Sequence, residues 1–123
     1  MISQAGRRGA VLAYTVALLL VTLLPVPGVL TDALPSWTDK IVHFALFGSF
    51  AALLYWYYAP AAAAAPAGRP GAVRVVGLAA LLAALIEVAQ GPLPERSFDP
   101  WDFVWGVIGA AVGYALMRAA SRS

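Results

Sequence analysis

The chain has 123 residues, 62% of them hydrophobic and only 11% charged, with a mean hydropathy of +0.80. A water-soluble domain carries about 25% charged residues, so the composition excludes one with an ordinary polar surface and points to a bilayer. A net charge of +2, with arginines flanking apolar runs, excludes a nucleic-acid-binding role, and the lack of cysteine excludes disulfides and thiolate metal sites.

Residues 1–123 form a single transmembrane domain on this reading. A helix crossing a hydrocarbon core about 30 Å thick needs roughly 17–25 residues. The first span, about 9–26, follows Arg7 and Arg8 and runs into Pro25 and Pro27. Its basic start and apolar middle also fit a signal peptide, with "TDA" at 31–33 as the cleavage site, but the intervening prolines make an anchoring helix the better reading. The second span, about 41–59, is "IVHFALFGSFAALLYWYYA", whose "YWYY" end fits the headgroup interface. The alanine-rich "PAAAAAPAGRPGA" reads as a biased loop. The third and fourth spans cover about 72–90 and 101–118. Apolar residues surround most of each segment, as expected with lipid on one side and helices on the other. Backbone groups at that depth must bond within their own segment. The expected fold is all-α, a small bundle of four transmembrane helices.

Arginine placement sets the expected orientation. Arg7 and Arg8 precede the first span, Arg69 and Arg74 flank the third, and Arg118 and Arg122 follow the fourth. With four crossings these fall on one side, expected to be the cytoplasm, which gives an N-in/C-in protein. The opposite side receives the acidic loops.

The remaining polar residues gather by height. Asp39, Lys40 and His43 start the second span, with Asp39 and His43 on one face. Glu87 and Gln90 end the third span. The loop "GPLPERSFDPWD" adds Glu95, Arg96 and Asp99, and Asp102 opens the fourth. Three pieces of sequence thus deliver ionisable groups to one outer layer, a candidate ligand-binding site of Asp39, Lys40, His43, Glu87, Gln90, Arg96, Asp99 and Asp102. Each residue also has a plainer reading. "SWTD" matches a capping box that would occupy Asp39, and "DPWD" offers Asp99 as N-cap with Pro100 at the first helical position. An acid within a span normally faces a partner, and a Glu87–Arg96 ion pair would satisfy that. Gly106, Gly109 and Gly113 follow Asp102 along one helix face, a stripe suited to close helix packing.

The pieces "DKIVHFALFGSF", "IEVAQ" and "RSFDPWDFVWGVIGAAVG" together resemble the VanZ-like family of small bacterial membrane proteins, over roughly residues 37–113. The resemblance implies that Asp39, Lys40, His43, Glu87, Gln90, Arg96 and Asp102 occupy the family's signature positions. It also implies a cell-envelope context linked to teicoplanin-type glycopeptide resistance. One departure is Gly106, where the family usually has Asn.

Three functions fit these readings. The first is an outward-facing pocket that binds a polar or anionic envelope group, such as a wall precursor or glycopeptide, with Arg96 and Lys40 holding the charge. The second is a structural network, with function in contacts to a membrane-protein partner or a second copy. The third is an enzyme acting on a lipid-linked substrate, with His43 as a base tuned by Glu87 or Asp39, Ser97 as a conceivable nucleophile, and two carboxylates plus the histidine also able to hold a divalent cation. Neither a catalytic motif nor a metal-ligand spacing is present. The expectation is therefore no catalytic residue, no metal and no cofactor, with membrane lipid as the surrounding partner.

Overall fold

The structure is a computed structural model in which residues 1–25, 33–93 and 98–122 are described. Four helices make up the fold: α1 (Gln4–Leu23), α2 (Thr38–Ala63), α3 (Ala72–Gln90) and α4 (Pro100–Ala120). Each is long and apolar enough to cross a membrane. The shortest, α3, has 19 residues and reaches about 28 Å at roughly 1.5 Å per residue.

Differences from the expected spans lie at the helix ends and have local causes. α1 starts earlier because the Ser3 hydroxyl caps it, accepting from the Gly6 N–H at 3.1 Å. Its expected last residue falls outside the described residues. α2 starts at Thr38 without the capping box: Trp37 is its N-cap, no side chain caps it, and Asp39 is exposed. The match at 72–90 is close for α3. α4 opens as "DPWD" implies, with the Asp99 carboxylate accepting from the Trp101 N–H at 3.0 Å and Pro100 in the first turn.

α2 runs past its expected end, through Pro60 to Ala63. A proline inside a helix has no N–H for the carbonyl four residues earlier, here that of Trp56. Arg7 of α1 supplies the missing donor: its guanidinium bonds to the Trp56 carbonyl and lies 4.2 Å from the centre of the Trp56 ring. Helix continuity past Pro60 thus depends on a neighbouring helix.

The most intimate helix pair is α2 with α4, and glycine is the reason. A Cβ on Gly109 would run into the main chain of Phe44, and one on Gly113 into that of Gly48. Gly48 returns the contact, since its own Cβ would lie 3.0 Å from the Gly109 carbonyl oxygen. The stripe expected from sequence is this seam, with Gly48 as an additional member. Phe47, Phe50, Ala51, Leu54, Ala79, Ala83, Ile86 and Ala110 fill the core around it. Tyr14 joins α1 to α2, stacking on Phe50 at 5.9 Å and donating to the Leu46 carbonyl at 2.7 Å. The outward faces carry exposed apolar side chains, including Leu12, Val16 and Leu20 of α1 and Leu81, Leu85 and Val88 of α3. Such surface is unfavourable in water and compatible with lipid.

The two ends of the bundle differ in charge. At one end Arg7 meets Trp56, Arg74 lies 5.3 Å over the Tyr58 ring, and the Tyr55 hydroxyl bonds Ser121 at 2.8 Å. Tyr114 ties the α2–α3 connection to α4 by donating to the Pro70 carbonyl at 3.0 Å. The other end holds the start of α2, the end of α3 and the start of α4, and with them the acids.

Candidate functional site

A buried polar layer at this acidic end is assembled from three helices. The first turns of α2 contribute Lys40 and His43, the last turn of α3 contributes Glu87 and Gln90, and Asp99 and Asp102 stand at the start of α4. His43, Glu87, Gln90 and Asp102 are all buried, Glu87 at 2% exposure.

Lys40 crosses from α2 to α4. Its ammonium lies 2.5 Å from Asp99 Oδ2 and 3.0 Å from Asp102 Oδ1. The contact to Asp99 is a charge-assisted hydrogen bond. The contact to Asp102 is near enough for an ion pair but misaligned for a hydrogen bond, because that oxygen has no hydrogen-bond partner. Asp99 therefore has two tasks, capping α4 with one oxygen and holding Lys40 with the other.

His43 is fixed from behind. Its Nδ1 lies 2.8 Å from the Asp39 carbonyl oxygen, one turn back, so Nδ1 carries the proton and donates. Its ring stacks on Phe47 with centroids 6.3 Å apart. The other nitrogen, Nε2, faces Glu87 Oε1 across 3.7 Å, beyond hydrogen-bond range. Both atoms are buried and unpartnered. The second carboxylate oxygen of Glu87 is used, accepting from the Asp99 N–H at 3.1 Å.

Of the residues expected to share a pocket, Lys40, His43, Glu87, Asp99 and Asp102 come together. Two do not. Asp39 contributes its carbonyl while its side chain is exposed. Gln90 turns to α1 and donates at 2.6 Å to the Thr22 carbonyl, one of the acceptors left open at that helix's C-terminal end. Arg96 lies outside the described residues, as do Glu95, Ser97 and the expected Glu87–Arg96 pair. Thr22 and Gly48 were missed in the sequence. The only cue for Gly48 is its four-residue spacing to Ala52, a small-residue pair of the kind that lines helix contacts. Gly106 acquires a reason here. A Cβ at that position would lie 3.0 Å from the Phe47 ring, so glycine there leaves room for the aromatic that stacks on His43.

The hydrogen bond from Lys40 holds the Asp99 carboxyl below its ordinary value of 3.8, against partial desolvation that acts the other way. A carboxyl with a lower pKa in the folded state stabilises the fold above its unfolded value and loses that contribution as pH falls through the folded one. Unfolding measurements in detergent should show the wild type losing stability as pH drops below about 4. Asp99→Asn, which keeps a capping residue, should lose measurably less over the same interval. Parallel curves for the two proteins would contradict this account.

The fold and this layer define a four-span helical membrane protein with ionisable groups buried between three helices at one end. The VanZ/LLP1 family profile matches residues 11–121, and the chain belongs to that family. No curated protein and no solved structure matches it.

Proposed function

We propose that the chain is an envelope protein of the bacterial cell membrane that binds the polar part of an amphiphilic envelope molecule at the His43–Glu87–Asp102 layer. The carrying observation is the facing pair of buried, unpartnered atoms, His43 Nε2 and Glu87 Oε1. A network serving only the fold would satisfy its members, because an unpaired buried polar atom costs about 1–3 kcal/mol. The unused bonding capacity is better explained by a group that arrives from outside.

Three further features support the reading. The arginine-rich end fits the cytoplasmic face, which turns the layer outward. A groove of about 380 Å³ lined by Trp37, Lys40, Ile41, Phe44 and Trp105 runs between α2 and α4 beside the layer, and its apolar walls suit a lipid tail. The family name connects the protein to teicoplanin-type glycopeptide resistance and so to wall precursors. Lys40 is engaged by Asp99 and Asp102, so the countercharge for an anionic group is proposed to come from Arg96, which stands between α3 and α4 in the sequence.

A second reading, that the layer only stabilises the bundle, is favoured by the Lys40 ion pairs and by the bond from Gln90 to Thr22. Glu87→Gln and His43→Ala separate the two. On the binding reading, purified variants hold a lipid-linked wall precursor at least about tenfold more weakly than wild type, a change of roughly 1.4 kcal/mol, while their thermal stability changes little. Cells expressing them at equal level lose any glycopeptide protection. Variants that bind like wild type but melt early would establish the structural reading instead.

A further inference from the structure

We infer that His43 Nε2, Glu87 Oε1 and the Asp102 carboxylate form a site for one divalent transition-metal cation of the zinc class. This rests on the layer being a binding site, as proposed above, and names a cation as its first occupant.

The tautomer of His43 begins the argument. With Nδ1–H donating to the Asp39 carbonyl, the imidazole in the neutral form that binds metals turns its Nε2 lone pair toward Glu87 Oε1. Two acceptors then face each other in a buried space, which is repulsive unless a positive species stands between them. Their separation of 3.7 Å is too long for one hydrogen bond. It is near the roughly 3.4 Å between two ligand atoms that each lie about 2.1 Å from a shared tetrahedral ion. A carboxylate oxygen of Asp102 completes a trio of ligand atoms, one from each residue, that all lie within 4.8 Å of one another.

Charge and supporting contacts agree. Among the described residues, Glu87, Asp99 and Asp102 bring three negative charges to the layer and Lys40 one positive charge. Because a metal-bound imidazole is neutral, His43 adds nothing to a balance of −2 when a cation is bound, and a dication cancels it. The ligands are held as metal ligands usually are, an imidazole N–H on a carbonyl and a carboxylate on an N–H. One nitrogen and two carboxylate oxygens suit zinc or manganese better than softer ions. Three protein ligands leave a position open, where an anionic oxygen of an envelope molecule would bind despite the acidic surroundings. Because the ligands come from three helices, no short spacing in the sequence announces them.

The test uses the full chain, purified in detergent without a polyhistidine tag, stripped with chelator and titrated with zinc ion alone. His43 is the single histidine and there is no cysteine, so a nitrogen-ligated ion has one place to bind. One equivalent should bind, and cobalt substitution should give visible absorption that depends on His43. His43→Ala and Glu87→Gln should weaken binding by more than about 100-fold, beyond what loss of an outer-shell partner causes. Asp102→Asn provides the same test should either variant fail to fold. The inference is overturned if wild type binds no stoichiometric zinc, manganese or cobalt, or if the folded variants bind as it does. Precursor binding by stripped protein that takes up no metal would overturn the cation and leave the binding reading standing.

Discussion

Gly113→Leu should abolish the folded bundle. A Cβ at this position runs into the main chain of Gly48, and main chain cannot rotate out of the way as a side chain does. Overpacking a core that can yield costs about 1–3 kcal/mol. Here α2 and α4 would have to separate along their length, losing the contacts at Gly109 and Gly106 as well. The expected cost exceeds about 4 kcal/mol, comparable with the whole stability of a small protein, roughly 5–15 kcal/mol. Gly77→Leu is the matched control, because no atom lies within 4 Å of a Cβ there. Unfolding in mixed micelles should find the Gly77 variant close to wild type and the Gly113 variant unfolded from the start. Equal stability of the two would refute the seam.

Lys40→Met should be the most damaging change within the polar layer. It leaves Asp99 and Asp102 facing each other with their shared cation gone. Removing one partner of a buried ion pair costs about 3–5 kcal/mol, mainly for the charge left behind. Exposed pairs are worth only about 0–1 kcal/mol. The Lys40, Asp99 and Asp102 side chains are 25%, 30% and 10% exposed, so a loss of about 3 kcal/mol, the low end of the buried range, is expected. Lys40→Met/Asp102→Asn should recover much of it by removing the most buried of the stranded charges. A double variant no more stable than the single one would show that the charge on Asp102 is not the source of the damage.

The sequence made the fold legible because lipid imposes a coarse rule. Four uninterrupted apolar runs have to be helices, and their lengths fix where they lie. Helix ends were less legible because they depend on single contacts. The Ser3 hydroxyl extends α1, and Arg7 carries α2 past a proline that would ordinarily mark its end. The candidate site was legible as a set of residues at one height, and Asp102 shares the buried face of α4 with Gly106, Gly109 and Gly113. Side-chain direction was not legible. Asp39 and Gln90 share helix faces with His43 and Glu87, yet Asp39 is exposed and Gln90 reaches for α1, because an open carbonyl at Thr22 draws its amide. The pairing of Lys40 with Asp99 and Asp102 depends on how closely α2 approaches α4, which Gly48, Gly109 and Gly113 set together and which nothing in the charge pattern reveals.

That close approach divides the bundle mechanically. Glycine-to-backbone contact and the Lys40 clamp make α2 and α4 one rigid half, which carries His43, Asp99 and Asp102. Glu87 belongs to α3, whose hold on the layer is an N–H bond from Asp99 and a bond from Gln90 to the end of α1. Any change in the separation of His43 and Glu87 is therefore a movement of α3 against this half, and a cross-link from α3 to α4 near this end should hold that separation fixed.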